Sequence, residues 1–254
     1  MTNPVVRRMP VSALGAYRSG MTSNDTSPTV LPGVLPDVRR DDAGLVTVDI
    51  IESAAVPDRA RQRRTADSLL AADRPWNAGL LADSVLLATD GLGVLRYSQW
   101  RDEDAYAEAQ SRFPAAIAPT TSGAARSVRH RLYRSAVPDD LPAPGVVVVI
   151  TFDTDGADVG RRFVDALLDR HPVVRGAAPP EGMGSNDFHL AVDGTQVLNW
   201  AEFVDERAHQ RVVDTALQPD DDVPRLIAET RGLTPRGFRR YLPYGLATPG
   251  GRTR

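Results

Sequence analysis

The sequence predicts an α+β protein made of two tandem β-α-β-β-α-β units that close a shared barrel. Three observations lead there. The stretch from Gly79 to Tyr106, GLLADSVLLATDGLGVLRYSQWRDEDAY, recurs without a gap from Gly182 as GMGSNDFHLAVDGTQVLNWAEFVDERAH. Asp90-Gly91 falls on Asp193-Gly194, Val94-Leu95 on Val197-Leu198, Tyr97 on Trp200, Trp100 on Phe203, and Asp102-Glu103 on Asp205-Glu206. A register that survives the turn, the aromatic pair and the acidic helix start marks an internal duplication. In both copies a strand and a helix precede this block and a strand follows it. The chain of 254 residues is also long enough for two domains of ordinary size.

Residues 1–42 are rich in Pro, Ser, Thr, Gly and Arg and show no sustained period. They read as a flexible or surface-draped tail, with a strap across the neighbouring domain as the alternative. Val30 to Pro36 is too proline-broken for a strand inside a sheet. The first domain is expected over 43–138. Leu45 to Ile51 is short and β-branched, as a buried strand should be. Pro57-Asp58 opens a helix that continues to about Asp73. Leu80–Ala88 and Gly93–Gln99 form a hairpin across Asp90-Gly91, a dipeptide that supplies positive φ. Asp102 caps a helix from Glu103 to about Arg112. Pro114 to Gly123 is linker-like, and Ser127–Ser135 alternates as a closing strand.

The second domain is expected over 144–247. Val146–Phe152 is a near-continuous apolar strand, and Val159, Phe163, Ala166 and Leu167 mark one face of a helix. A hairpin over 184–200 and a helix from Asp205 to about Leu217 follow. Asp220–Asp222 and Pro224 mark an added loop with a short helical turn at Leu226–Thr230, and Phe238–Tyr241 is the last strand. The order is that of a ferredoxin-like unit, whose helices cover one sheet face and leave the other open. Two such units can pack open face to open face.

Composition narrows the chemistry. Net charge is −3, and acidic and basic residues are interspersed, so nucleic acid is not the expected partner. The chain has no lysine, which excludes Schiff-base chemistry, and no cysteine, which excludes thiol nucleophiles, disulfides and thiolate metal sites. No apolar run reaches the length of a membrane span and no signal-peptide core is present, so no membrane partner and a cytoplasmic location are expected. The four histidines are scattered, without the H-x-x-x-H spacing of a metal site. Phosphate-binding glycine fingerprints and a Gly-x-Ser-x-Gly elbow are missing too.

At Gly79-Leu80, Thr89-Asp90-Gly91, Val94-Leu95-Arg96-Tyr97-Ser98-Gln99-Trp100 and Tyr106 the chain resembles the antibiotic biosynthesis monooxygenase family of the dimeric α/β-barrel superfamily. The family pattern there is roughly P-G-F, S-x-D-G, V-V-N-Y-A-Q-W and an aromatic six residues on. The resemblance spans about 45–110 and 145–215. It implies a fused pseudo-dimer, an intramolecular dimeric α/β barrel. It further implies oxygenation of an anthrone-type aromatic polyketide with O2 as co-substrate and no cofactor, in antibiotic or pigment biosynthesis. In the branch concerned, the asparagine and tryptophan of the motif and the aromatic after it are implicated in catalysis. Here the first half keeps Trp100 and Tyr106 but has Arg96 in place of the asparagine. The second keeps Asn199 but has Phe203 and His209 in place of the aromatics.

Oxygenation without a cofactor needs a phenol or anthrone that can be deprotonated, because its anion can pass an electron to O2. The protein supplies a base, a donor for the oxyanion and a dry apolar cavity. The catalytic candidates are therefore Asn199, Trp100, Tyr106, Arg96 and His189. Trp200, Tyr97, Phe203, Asn186 and Phe188 are candidates for holding the substrate, and no metal site is expected. Alternation puts Arg96, Ser98 and Trp100 on one face, and Asn199 with Phe203 on another. A two-residue hairpin loop brings Asn186 and Phe188 beside Asn199, whereas a one-residue shift brings Asp187 and His189. The aromatics serve equally as core side chains at strand ends. His130 and His209 are expected near the surface or behind the site, and His171 as a cap. Other readings are a non-oxidative protein that binds a polyketide or assists its cyclisation, and haem degradation with His189 as axial ligand. The expected partner is a small aromatic substrate, with a homodimer of the fused pair as a further assembly.

Overall fold

The computed structural model of the chain describes residues 28–71, 76, 79–112, 126–216, 218 and 221–249. The expectations for residues 1–27, for the linker at 114–123 and for the end of the first helix lie outside the described residues. The strands are β1 Thr29–Pro32, β2 Leu45–Glu52, β3 Leu80–Ala88, β4 Gly93–Trp100, β5 Arg126–Ala136, β6 Val146–Thr154, β7 Met183–Ala191, β8 Gln196–Phe203 and β9 Leu233–Thr248. The helices are α1 Arg59–Ala71, α2 Glu103–Arg112, α3 Ala157–Leu168, α4 Glu206–Ala216 and α5 Asp222–Glu229. The predicted α+β class and repeated β-α-β-β-α-β order are both present.

All nine strands form one antiparallel sheet in the order β1-β9-β3-β4-β2-β5-β7-β8-β6, and pairing of β6 with β9 closes eight of them into a ring. Each unit alone has the ferredoxin-like order: β5-β2-β4-β3 in the first, β9-β6-β8-β7 in the second. The units are joined by exchange at their last strands. β5 pairs with β2 of its own unit through Arg126–His130 and with β7 of the other through His130–Ala136. β9 likewise pairs with β6 through Leu233–Tyr241 and with β3 through Tyr241–Ala247.

Alternation along the strands then sorts side chains into two layers. Val46, Val48, Leu95, Tyr97, Val147, Val149 and Trp200 point into the barrel and form one core shared by both units. The opposite face packs under the helices. Ala66 and Leu69 of α1 and Tyr106 and Ala109 of α2 cover the first unit. Phe163 and Leu168 of α3 and Ala208 and Val212 of α4 cover the second.

Each hairpin turns as its Asp-Gly dipeptide predicts. Gly91 and Gly194 have φ of +77° and +73°, and the preceding aspartates accept the backbone N–H two residues on, from Leu92 at 2.8 Å and Thr195 at 3.0 Å. The environments differ: a Cβ on Gly91 would meet the flexible Arg59 side chain at 3.3 Å and Pro57 at an ordinary 3.5 Å, whereas one on Gly194 would meet the Ala157 backbone nitrogen at 2.7 Å. Gly91→Ala should cost about 1–2 kcal/mol, the penalty of left-handed backbone. Gly194→Ala should cost more, and comparing the two denaturation midpoints checks this order.

Two regions depart from expectation, both through proline. The last strand runs over 16 residues rather than four, although Pro235 and Pro243 interrupt its sequence. Each proline sits where the ladder shifts register, Pro235 between Ile150 and Phe152 and Pro243 between Val85 and Leu86. A bulge needs no proline N–H. The tail also has structure from residue 28 onward. β1 pairs with the far end of β9 as an edge strand, where proline is tolerated. The chain then crosses the barrel end, burying Val38 in the shared core, while Arg39 binds the fully buried Asp187 at 3.1 Å. The added segment at 222–229 is a helix with Pro224 in its first turn.

Candidate functional site

The strand registers decide where the candidate residues meet, and they divide them among three places. Phe188 pairs with Asn199 and Asn186 with Ala201, so Asn186 and Phe188 do share a face with Asn199, under the helices of the second unit. His189 pairs with Leu198 and points the other way, into the barrel. Tyr97 and Trp200 lie there with it. Arg96, Trp100 and Tyr106 lie under the helices of the first unit. His189 is therefore not brought to Asn199 or to Arg96, and the ten candidates do not form one site.

In the first unit, β2, β3 and β4 align Asp49, Asp83 and Arg96 side by side. Asp49 and Arg96 are register partners, and Arg96 donates from Nε and from one terminal nitrogen to the two oxygens of Asp83, each at 2.9 Å. Ser98 donates to the same carboxylate at 2.9 Å. Burial works against the Arg96 charge, but the Asp83 carboxylate outweighs it and raises the Arg96 pKa overall. Asp49 is buried with one carboxylate oxygen unpartnered. Its pKa is raised because burial disfavours the anion more than Ser127 and Arg96 favour it. The Ser127 side chain lies near both Asp49 and Tyr106 and acts on the pKa of each against the effect of burial. Tyr106 meets Trp100 edge to face at 5.3 Å, and Trp100 Nε1 donates to Thr47 Oγ1 at 3.2 Å. A pocket of about 160 Å³ lined by Ser127, Val128, Arg129, Val192 and Asp193 opens beside this cluster. Val192, from the hairpin turn of the second unit, packs against the apolar cluster that holds Trp100 and Tyr106.

The equivalent place in the second unit carries no such charges. Asn199 replaces Arg96, Asn186 replaces Asp83, and Ile150 is the register partner where Asp49 would be. Asn199 Nδ2 donates to Asn186 Oδ1 at 3.3 Å, and Asn186 Nδ2 lies 3.4 Å from His171 Nε2. Asn199 Oδ1 is buried without a partner. Phe203 and Phe238 sandwich His209 edge-on at 5.0 and 4.8 Å, and Arg240 donates to its Nδ1 at 2.9 Å. His171 accepts the Val173 N–H at 3.3 Å, capping the turn after α3.

Asp49, Asp83 and Ser127 escaped the sequence reading. The available signal was a carboxylate at the centre of the β-branched run Leu45–Ile51, two residues from Thr47 on the same face. Its partner lies on another strand, so only the register turns it into a site. Of the two histidines expected near the surface or behind the site, neither is at the surface: His130 is fully buried in the barrel wall between Val128 O and Gln196, because β5 turns that position inward, and His209 is buried behind Phe203.

Burial lowers the pKa of His189 and His209 to about 4 and that of His130 to about 3, from 6.5. A group depressed in the folded state stabilises the fold above its unfolded pKa and loses that contribution as pH falls toward the folded value. The melting temperature should therefore fall progressively as the solution is acidified from 6.5 toward 4, which thermal melts across that range will check.

His189 is poorly placed to ligate haem. Both ring nitrogens are engaged, Nε2 with the Tyr97 hydroxyl at 3.0 Å and Nδ1 with the Asp187 carbonyl oxygen at 3.1 Å. Among the described residues, no group of three or more His, Asp or Glu side chains is placed to hold a metal ion. Among them too, no helix is long and apolar enough to cross a membrane.

No family model matches the chain, and no curated protein matches it in sequence. Solved structures do. The chain superposes on an anthrone oxidase-like protein with a TM-score of 0.60 at 15% identity, over 88% of this chain and 98% of that one. A ferredoxin-fold protein related to antibiotic biosynthesis monooxygenases, from Listeria monocytogenes, gives 0.44 at 14% identity over 80% and 96%. A monooxygenase-like protein from Listeria innocua gives 0.43 at 13% over 82% and 96%. The first of these matches shows that the chain has the fold of the dimeric α/β-barrel proteins, with both units in one polypeptide.

Proposed function

We propose that the chain is a cofactor-independent monooxygenase that oxidises an aromatic polyketide intermediate of the anthrone or phenol type with O2, and that its first unit holds the chemistry. The supporting observation is Asp49, a buried carboxylate with an unpartnered oxygen and a raised pKa beside the Trp100–Tyr106 pair. A carboxylate whose pKa is lifted toward neutrality is a better base for a weakly acidic C–H or O–H. The Asp49 carboxylate takes the substrate proton. The Arg96 charge favours the resulting aromatic anion through space, since its Nε and a terminal nitrogen already bond Asp83. The anion passes an electron to O2, the two radicals join in a carbon–oxygen bond, and loss of water from the peroxide leaves the quinone. One O2 is consumed and one water released for each anthrone.

A second reading is favoured by the second unit, whose Asn186, Asn199 and Ile150 offer hydrogen bonds and apolar surface but no base. A non-oxidative role, holding a polyketide or assisting its cyclisation, suits that set. The two readings separate in one assay. Protein stripped of metal is supplied with dithranol, and O2 uptake is measured above the spontaneous rate. The oxygenase reading expects uptake that falls in Trp100→Phe and persists in Asn199→Ala. Saturable dithranol binding without O2 uptake would replace it with the accessory role. Uptake sensitive only to Asn199→Ala would move the chemistry to the second unit.

A further inference from the structure

Three residues singled out in the sequence, Tyr97, His189 and Trp200, belong to neither outer cluster. They meet in the barrel core, where the two units face each other. Since the Asp187 carbonyl can only accept, His189 Nδ1 carries the ring proton, and Nε2 is left to accept from the Tyr97 hydroxyl at 3.0 Å. The Trp200 ring lies 4.8 Å from that of Tyr97, centroid to centroid. All three side chains are buried. Packing does not demand this arrangement, because the position of His189 in the repeat is filled by Leu86 in the first unit.

We propose that Tyr97 is an internal one-electron donor, with His189 as its proton acceptor and Trp200 as the adjoining relay, serving to quench radical oxidants of the peroxyl class. The oxidant takes one electron, from Trp200 or directly, and Tyr97 supplies it. The phenolic O–H bond breaks as its proton crosses to His189 Nε2. The products are a neutral Tyr97 phenoxyl radical, a His189 imidazolium and the oxidant reduced by one electron.

Burial opposes the imidazolium, since it lowers the His189 pKa to about 4, but moving proton and electron together avoids the far more acidic phenol radical cation. Burial raises the Tyr97 pKa, so the phenol keeps its proton until the electron leaves. The Asp187 carbonyl, already accepting from Nδ1, stabilises the imidazolium more than the neutral ring. The barrel wall then keeps solvent reductants from the radical. The inference stands apart from the oxygenation reading, since any one-electron oxidant that draws on the core meets the same pair.

Flash–quench photo-oxidation of the intact protein with a ruthenium(III) polypyridyl complex tests it. A phenoxyl radical, identified by its electron paramagnetic resonance spectrum, should form and outlast the exposed-tyrosine radicals when ascorbate is added. Tyr97→Phe should abolish that protected signal. His189→Gln keeps an acceptor that cannot take up the proton, and should slow its formation about tenfold or more, the response to about 1.4 kcal/mol of added barrier. Formation in wild type should also slow in deuterated water, a measurement that needs no variant. A radical that ascorbate removes as fast as it removes free tyrosine radical, or a protected signal that survives Tyr97→Phe, overturns the proposal.

Discussion

Asp83→Asn should destabilise the protein by about 3–5 kcal/mol, the cost of taking one partner from a buried ion pair. The carboxylate has no exposed surface, and it receives two bonds from Arg96 and one from Ser98. Loss of that charge leaves the guanidinium in a low-dielectric layer with much weaker compensation. The second unit suggests the rescue. There the same two positions hold Asn186 and Asn199, bonded to each other at 3.3 Å. The double variant Asp83→Asn/Arg96→Asn should recover most of the loss, because neither charge remains to be desolvated. Urea denaturation of wild type, both single variants and the double variant gives the coupling directly. A single variant as stable as wild type would show that the pair is not what holds these strands' outer face together.

The second large effect falls on activity. Asp49→Asn should lower the rate of anthrone oxidation by about 10²–10⁴-fold, the usual contribution of a positioned base. The wild-type rate should climb with pH through the raised pKa of Asp49 as the carboxylate ionises, and the variant should lose that limb. Stability moves in the opposite direction. A carboxyl whose folded pKa is raised stabilises the fold while protonated and loses that contribution as pH rises through the folded value. At neutral pH the asparagine variant should therefore melt higher than wild type while turning over less. Thermal melts and O2-uptake pH profiles on the same samples check both signs.

The repeat, the Asp-Gly turns and the alternation of apolar residues carried the architecture, because each is a local pattern that acts within a few residues. The sites were less legible for a matching reason. In the sequence Arg96 stands as a candidate oxyanion holder, but Asp83, thirteen residues back across the hairpin, accepts two of its hydrogen bonds. His189 and Asn199 depended on a register that no local pattern sets, and a single-residue shift separates a lumenal histidine from one under the helices. Pro235 and Pro243 hid most of the last strand, since a bulge absorbs a proline only when its neighbouring strand is already in place.

The exchanged last strands have a consequence for how the chain assembles. A break in the segment between Ala136 and Val146 would leave each fragment with a strand half paired, its other half meant for the opposite unit. Neither fragment could close its own sheet, yet each carries the edge that the other lacks. Two such pieces made separately in one cell should find each other and restore the ring, and one piece made alone should seek a copy of itself. Covalent linkage sets their encounter at a high effective concentration and guarantees that the charged half always meets the uncharged one.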